Sequence, residues 1–364
     1  MVKRLRTASW ARVFERSMTA LARNGLKAAR QTVRQALKAT PPKKRVAAKA
    51  SKPAKPTKPA VARQPRQPAA QPGWTTGVAL GAAGARRYAL FRPPGVAAGE
   101  QLPLLVMLHG CGQDAKSFAQ STRMNTVAAR EGFMVLYPEQ DRLANPQGCW
   151  NWFDTTTGRA VQEAALILRA IDQVCLLHAA DRDRVAIAGL SAGASMAALV
   201  VARHPGRFKA VVMHSGVAPG TAHSTLSALG AMQGRRSTRP LDKPLPTAPL
   251  ATHTPWPPLL VIHGSADRVV SARNGQAAAQ QWAHAAGARA SPARNVRRGE
   301  RFPMTVADYK NKGRLAVTRV EVAGLGHAWS GGAAKLPYGD SRGPDASRMV
   351  WAFVNKQFLM TRKG

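Results

Sequence analysis

Short, continuously apolar runs alternate with helical segments through most of this chain. The apolar runs occupy residues 104–108, 133–137, 185–188, 210–213 and 259–262, and a late strand with polar positions is expected at residues 317–322. The helical segments are expected at residues 122–132, 160–178, 194–202, 275–286 and 348–358. Strands that are apolar at every position are typical of a parallel sheet buried on both faces. The alternation therefore predicts an α/β fold, a mostly parallel sheet with helices on both faces.

Charge divides the chain into unequal parts. The sequence holds 54 Lys and Arg against 18 Asp and Glu, a formal charge of +36, and half of that excess falls on residues 1–73. Residues 1–39 repeat apolar positions at spacings near three and four, which predicts a basic amphipathic helix that either lies on an anionic surface or packs on the main domain. Residues 40–73 are rich in Pro, Lys and Ala, which predicts a disordered linker. Residues 74–364 then form the folded domain.

Several functional classes are excluded by composition. No stretch reaches 18 uninterrupted apolar residues, so no transmembrane segment is expected. The three cysteines are too few for a four-cysteine zinc site. Neither a metal-ligand cluster nor a glycine-rich phosphate loop is visible, so no metal and no cofactor is predicted. The basic start is not followed by the apolar region of an ordinary signal peptide, which favours a cytoplasmic location.

The pentapeptide Gly189-Leu190-Ser191-Ala192-Gly193 lies between a predicted strand and a predicted helix. This is the setting of a G-x-S-x-G elbow, a tight turn that projects a serine above the end of a sheet. The small neighbours relieve crowding in the turn. The pattern predicts Ser191 as a nucleophile.

A serine needs a base to accept its proton and an acid to orient that base. Elbow-containing hydrolases carry these groups in the order Ser, Asp or Glu, His. Asp267 follows the run at 259–262, and His327 follows the last strand in a glycine-rich loop. The carboxyl ends of parallel strands meet at one edge of the sheet, where open α/β sheets place their sites. The sequence therefore predicts a Ser191, Asp267, His327 triad.

His109, Gly110, Cys111 and Gly112 follow the first buried strand. In such folds this loop supplies one backbone N–H to the oxyanion hole, and the residue after the nucleophile supplies the other. This nominates the amides of Cys111 and Ala192. His109 itself is expected to support the loop, and His263 to be structural.

Four motifs in this order resemble those of the polyhydroxybutyrate depolymerase-type esterases, a family that includes feruloyl and acetylxylan esterases. They are Leu108-His109-Gly110-Cys111-Gly112-Gln113, Cys149-Trp150-Asn151-Trp152, the pentapeptide at 189–193, and Gly326-His327-Ala328-Trp329. The resemblance covers residues 75–360 and implies an α/β-hydrolase carboxylesterase that is usually secreted. It leaves open whether the ester is a polyhydroxyalkanoate or a feruloyl or acetyl ester.

The same resemblance suggests that Cys111 and Cys149 form a disulfide, which requires an oxidising compartment. Two reduced cysteines beside the site are the alternative. Trp152 and Trp329 flank the proposed site, and their indoles are candidate substrate contacts.

Together these observations predict a serine carboxylesterase that acts through an acyl-enzyme on an ester substrate, which is possibly polymeric. The alternative is a protein that binds a polyanion or a granule surface through its basic N-terminus, although nucleic acid is a less expected partner. Family resemblance favours an extracellular location and the missing signal peptide a cytoplasmic one.

Overall fold

The computed structural model describes residues 73–97, 99–238 and 256–361. The basic helix predicted over 1–39 and, except for Gly73, the linker predicted over 40–73 lie outside the described residues. The boundaries of these two segments remain predictions.

A mixed sheet of eleven strands forms the centre of the folded part. Its strands are β1 (Trp74–Gly81), β2 (Gly84–Phe91), β3 (Leu102–Leu108), β4 (Met134–Pro138), β5 (Ala180–Leu190), β6 (Ala210–His214), β7 (Leu259–Gly264), β8 (Arg289–Ala290), β9 (Arg294–Val296), β10 (Met304–Asn311) and β11 (Arg314–Val322). Two short strands, β12 (Trp329–Ser330) and β13 (Gly339–Asp340), pair separately.

The strand order is β1-β2-β4-β3-β5-β6-β7-β11-β10-β8, with β9 beside β10. The six neighbours from β4 to β11 run parallel, whereas β1, β2 and β10 are antiparallel to their partners. The predicted mostly parallel sheet is confirmed. Because the central strands are parallel, β3, β5, β7 and β11 all end at the same edge.

Helices cover both faces of the sheet. They are α1 (Ala115–Thr122), α2 (Met124–Glu131), α3 (Arg159–Leu177), α4 (Ala192–Arg203), α5 (Thr225–Met232), α6 (Arg273–Ala285) and α7 (Ala346–Thr361). On one face, Phe118 of α1 and Trp351 of α7 share a hydrophobic cluster with Leu105 of β3. Side chains alternate across a strand, so Leu104 and Val106 point to the other face, where α3, α4 and α6 contact the sheet.

The predicted helix over 122–132 is instead two helices. Arg123 adopts the left-handed conformation (φ 56°) and ends α1 before α2 begins. The antiparallel strands β1, β2 and β8 to β10 were not predicted.

Segment 217–256 is rich in Pro, Thr and Ser and interrupts the alternation of strands and helices, which predicts an excursion over one end of the sheet. It contains α5, and residues 239–255 of it lie outside the described part. None of the helices in the described ranges has both the length and the apolar character that crossing a bilayer requires.

Candidate active site

Ser191 lies at the sharp turn between β5 and α4. Its backbone is strained, with φ 56° and ψ −121°, a region that non-glycine residues rarely occupy. The turn is possible because its flanking glycines allow backbone contact. A Cβ added to Gly189 would lie 2.3 Å from the Gly193 carbonyl carbon, and one added to Gly193 would lie 2.2 Å from the Leu108 carbonyl oxygen. The local sequence thus permits the elbow that the pattern predicts.

Asp267 and His327 are joined across the loops that follow β7 and β11. The distance from His327 Nδ1 to Asp267 Oδ2 is 2.8 Å, and the other carboxylate oxygen accepts the N–H groups of Val269 and Val270, each at 2.9 Å. The loops meet because the Ala266 N–H donates to the Leu325 carbonyl at 3.0 Å. Side-chain exposure is 0% for Asp267 and 8% for His327.

The carboxylate remains ionised in this setting. Burial alone would raise the pKa of Asp267, but the imidazoles of His327 and His263 together hold it well below its usual value. An ionised carboxylate can only accept a hydrogen bond, so the proton of the His327 ring lies on Nδ1. This tautomer leaves Nε2 of His327 available as a base.

Ser191 shares the sheet edge with this pair. Across the described residues, no hydrogen bond joins the Ser191 hydroxyl to the His327 ring. Catalytic hydrogen bonds are often long before substrate binds. The structure therefore joins two of the three predicted triad residues directly and brings the third to the same edge.

The loop after β3 packs against the elbow. A Cβ added to Gly110 would lie 3.6 Å from the Ser191 Cβ. The carbonyl oxygens of Leu108 and His109 lie so close to Gly193 that a Cβ there would be 2.2 and 2.5 Å from them. Among the residues described, the N–H groups of Cys111 and Ala192 donate no hydrogen bond, so both are available to an oxyanion.

A disulfide joins Cys111 to Cys149, with the two Cα atoms 4.3 Å apart. Two hydrogen bonds reinforce this link between the loop after β3 and the segment before α3. The Gly112 N–H donates to the Gln147 carbonyl at 2.9 Å, and the Trp150 indole donates to the His109 carbonyl at 3.0 Å.

The tryptophans differ from expectation. The Trp329 side chain is fully buried; it stacks on His214, meets Phe118 edge to face and donates to Ser347. This burial contradicts the predicted substrate contact of Trp329, because the indole presents no surface to a substrate. Trp152 is 8% exposed and stays a candidate contact.

His109, His214 and His263 are structural, as their contacts indicate. His109 Nε2 accepts the Gln140 N–H, and His214 Nε2 accepts the Ser330 N–H, each at 3.1 Å. Burial lowers the pKa of His109 to about 4 and that of His214 to about 3, so both are neutral. Nε2 of His263 lies 2.9 Å from the Val270 carbonyl oxygen, beside Asp267.

A buried carboxylate that sequence reasoning missed supports the site. Glu163 of α3 accepts the N–H and the side-chain amide of Asn151, at 2.9 and 2.6 Å, and the amide of Gln140 at 2.7 Å. Gln140 in turn holds His109 through its backbone. A signal was present, because Glu163 lies on the apolar face of α3.

A buried guanidinium completes this network. Arg86 of β2 is 2% exposed; it donates to the Gln140 side chain at 2.5 Å and lies over the Trp150 ring, 5.2 Å from its centroid. Burial lowers the pKa of Arg86 and the charge of Glu163 raises it. The network therefore fixes the segment 149–152 and, through it, the loop at 109–112.

Known proteins resemble this chain in sequence. The family described as "Esterase PHB depolymerase" matches residues 86–301, more than half of the 364 residues. Poly(3-hydroxyalkanoate) depolymerase C of Paucimonas lemoignei is 31% identical over 235 residues, 62% of this chain and 54% of that protein. Feruloyl esterase B of Neurospora crassa is 29% identical over 212 residues, 53% of this chain and 68% of that protein. The chain thus spans between about half and two thirds of these relatives.

Solved structures confirm the α/β-hydrolase fold. An acetyl xylan esterase from Aspergillus awamori superposes with a TM-score of 0.56 at 19% identity, covering 70% of this chain and 94% of that one. At this identity the likeness concerns the fold alone.

Proposed function

This chain belongs to the polyhydroxybutyrate depolymerase family of esterases, and we propose that it hydrolyses carboxylic esters through an acyl-enzyme on Ser191. The observation that carries the proposal is the 2.8 Å hydrogen bond between Asp267 and His327 at the edge where Ser191 stands in a strained turn. These are the groups that a serine mechanism requires.

In the proposed reaction, the Ser191 hydroxyl attacks the ester carbonyl carbon and gives its proton to Nε2 of His327. The Cys111 and Ala192 amides stabilise the oxyanion, and such donors are typically worth about 10²–10³ in rate. The intermediate collapses, and His327 passes the proton to the departing alcohol oxygen. Water then attacks the acyl-enzyme with His327 again as base, releasing the acid and restoring the Ser191 hydroxyl. The ionised Asp267 stabilises the imidazolium in both halves of the reaction.

The proposed substrate is an ester of a polymer, either a hydroxyalkanoate polyester or a feruloylated or acetylated glycan. The names of the relatives support these classes. Trp152 is the remaining proposed aromatic contact. The bridged Cys111 and Cys149 favour an oxidising compartment, so we place the enzyme outside the cytoplasm.

The test is acid release from p-nitrophenyl butyrate, polyhydroxybutyrate, methyl ferulate and acetylxylan. Wild type, Ser191→Ala and a control, Ser341→Ala at an exposed serine, are compared. We expect Ser191→Ala alone to lose activity, and the preferred ester to identify the substrate class. A folded wild type that is inactive on all four esters would refute the proposal, as would an active Ser191→Ala.

A role for residues 1–73 in holding the enzyme on an anionic surface stays a prediction, since all but the last of them lie outside the described part. Its test is salt-sensitive binding to anionic vesicles that persists in Ser191→Ala. Binding that does not weaken with added salt, or that persists after residues 1–73 are removed, would contradict it.

A further inference from the structure

Tyr338 is tied beside His327 by the short ladder between β12 and β13. The Trp329 N–H donates to the Tyr338 carbonyl at 2.7 Å, and the next pairs in register are Trp329 with Gly339 and Ser330 with Asp340. Because Trp329 follows His327 by two residues, this ladder fixes Tyr338 relative to the proposed base.

The phenol spans the space between the base and the oxyanion loop. Its ring stands edge-on to His327, with centroids 6.4 Å apart and planes at 89°. At its other end, the hydroxyl lies 4.0 Å from the position that a Cβ at Gly112 would occupy. Gly112 directly follows Cys111, whose amide is a proposed oxyanion donor. One side chain therefore lies beside the base and near the oxyanion loop.

Two further features mark this tyrosine. Its backbone has φ 59°, a conformation that a bulky residue adopts only when the surroundings impose it. Its hydroxyl makes no hydrogen bond to any residue in the described ranges. Burial raises the pKa of the phenol, so it stays protonated and remains a hydrogen-bond donor at neutral pH. An unengaged donor held in strained backbone beside the base is suited to a ligand.

We propose that the Tyr338 hydroxyl donates a hydrogen bond to an oxygen in the alcohol portion of the substrate, close to the scissile ester. The proposal rests on the function proposed above, in which His327 must reach the departing alcohol oxygen. The alcohol portion therefore lies next to His327, in the space between His327 and the oxyanion loop that the Tyr338 phenol spans. Esters of hydroxy acids carry such an oxygen on a neighbouring carbonyl, whereas esters of simple alkanols do not. Tyr338 would thus select esters of hydroxy acids over alkyl esters.

The experiment compares two butyrate esters whose alcohol portions have equal length, of which only the first carries a carbonyl group next to the scissile ester. One is the butyrate ester of methyl 3-hydroxybutanoate and the other is that of 2-hexanol, and butyrate release is measured for both. The variants are Tyr338→Phe, which keeps the ring, and the control Tyr309→Phe on β10. The quantity of interest is the ratio of kcat/KM for the first ester to that for the second.

We expect the ratio to fall about three- to tenfold in Tyr338→Phe, the effect of one ordinary hydrogen bond, and to be unchanged in Tyr309→Phe. Equal losses on both esters, or no loss on either, would overturn the role of Tyr338 while leaving the esterase proposal standing. A wild type that releases no butyrate from either ester, with thermal unfolding showing it folded, would refute the esterase proposal instead. Matching thermal midpoints of the variants establish that the change in ratio is not a folding defect.

Discussion

Removing the disulfide should lower thermal stability by a calculable amount. Cys111 and Cys149 are 38 positions apart, and closing a loop of that length stabilises a protein by about 4 kcal/mol on the chain-entropy model. A folded part of about 290 residues has an unfolding entropy of roughly 0.6 kcal/mol per kelvin. Dividing the first by the second predicts that Cys111→Ala with Cys149→Ala lowers Tm by roughly 7 °C.

Activity at 25 °C should fall far less than the stability. The two loops remain joined by the Gly112 to Gln147 and Trp150 to His109 hydrogen bonds, and alanine keeps the backbone amide at position 111. We therefore expect kcat within about tenfold of wild type, because the oxyanion donor is loosened and not removed.

The assay is thermal unfolding followed by calorimetry, with and without a phosphine reductant. Reductant should lower the Tm of wild type to that of the double variant and leave the double variant unchanged. Cys175→Ala, which removes the free cysteine, is the matched control and should keep the response to reductant. A double variant within about 2 °C of wild type would refute the loop-closure reasoning.

Three further predictions concern buried groups. Asp267→Asn should lower kcat by about 10³–10⁴ on p-nitrophenyl butyrate, because the amide no longer holds the His327 tautomer, and a loss below tenfold would contradict the assigned role. Glu163→Gln should reduce the free energy of unfolding by about 2–3 kcal/mol and also lower kcat, because an amide donor then faces the Asn151 and Gln140 donors. Glu131→Gln, at an exposed position, is the control, and equal denaturation midpoints for the Glu163→Gln and Glu131→Gln variants would contradict the role of Glu163. Burial lowers the pKa values of His109 and His214. Below pH about 6.5 the unfolded state therefore binds more protons than the folded state. The free energy of unfolding should fall by about 1.4 kcal/mol per pH unit for each histidine between pH 6.5 and pH 4. Urea midpoints at pH 7 and pH 5 check this sign, and a midpoint that is unchanged or higher at pH 5 would contradict it.

The sheet was predictable where its strands are buried on both faces. Continuous apolar runs such as 104–108 and 259–262 exclude most alternatives, and both lie inside observed strands. The antiparallel strands were missed because charged or exposed positions interrupt their apolar runs, as Arg86 and Arg87 do in β2. Periodicity also cannot detect a single left-handed residue such as Arg123.

The candidate site was predictable where its reactive residues come directly after strands that the sequence reveals. Ser191, Asp267 and His327 each follow a recognisable strand, so their order alone nominated them. Trp329 could not be judged in this way, because its burial depends on His214, which comes from another strand. Tyr338 carried no signal, since its position depends on an irregular loop that pairs β12 with β13.

The site depends on main-chain contacts as much as on its side chains. Gly193 allows α4 to touch the Leu108 carbonyl, which ties the elbow to the loop after β3, and a Cβ at Gly264 would lie 2.2 Å from the Leu325 carbonyl, in the loop that carries His327. Each contact joins the last residue of one strand to a segment that follows another strand. Since an alanine at either glycine forces these segments apart, it would displace the oxyanion donors or the base without altering any reacting group. The relative positions of Ser191 and His327 therefore depend on the spacing of the strands, because Gly193 and Gly264 let the segments at the strand ends pack in direct contact.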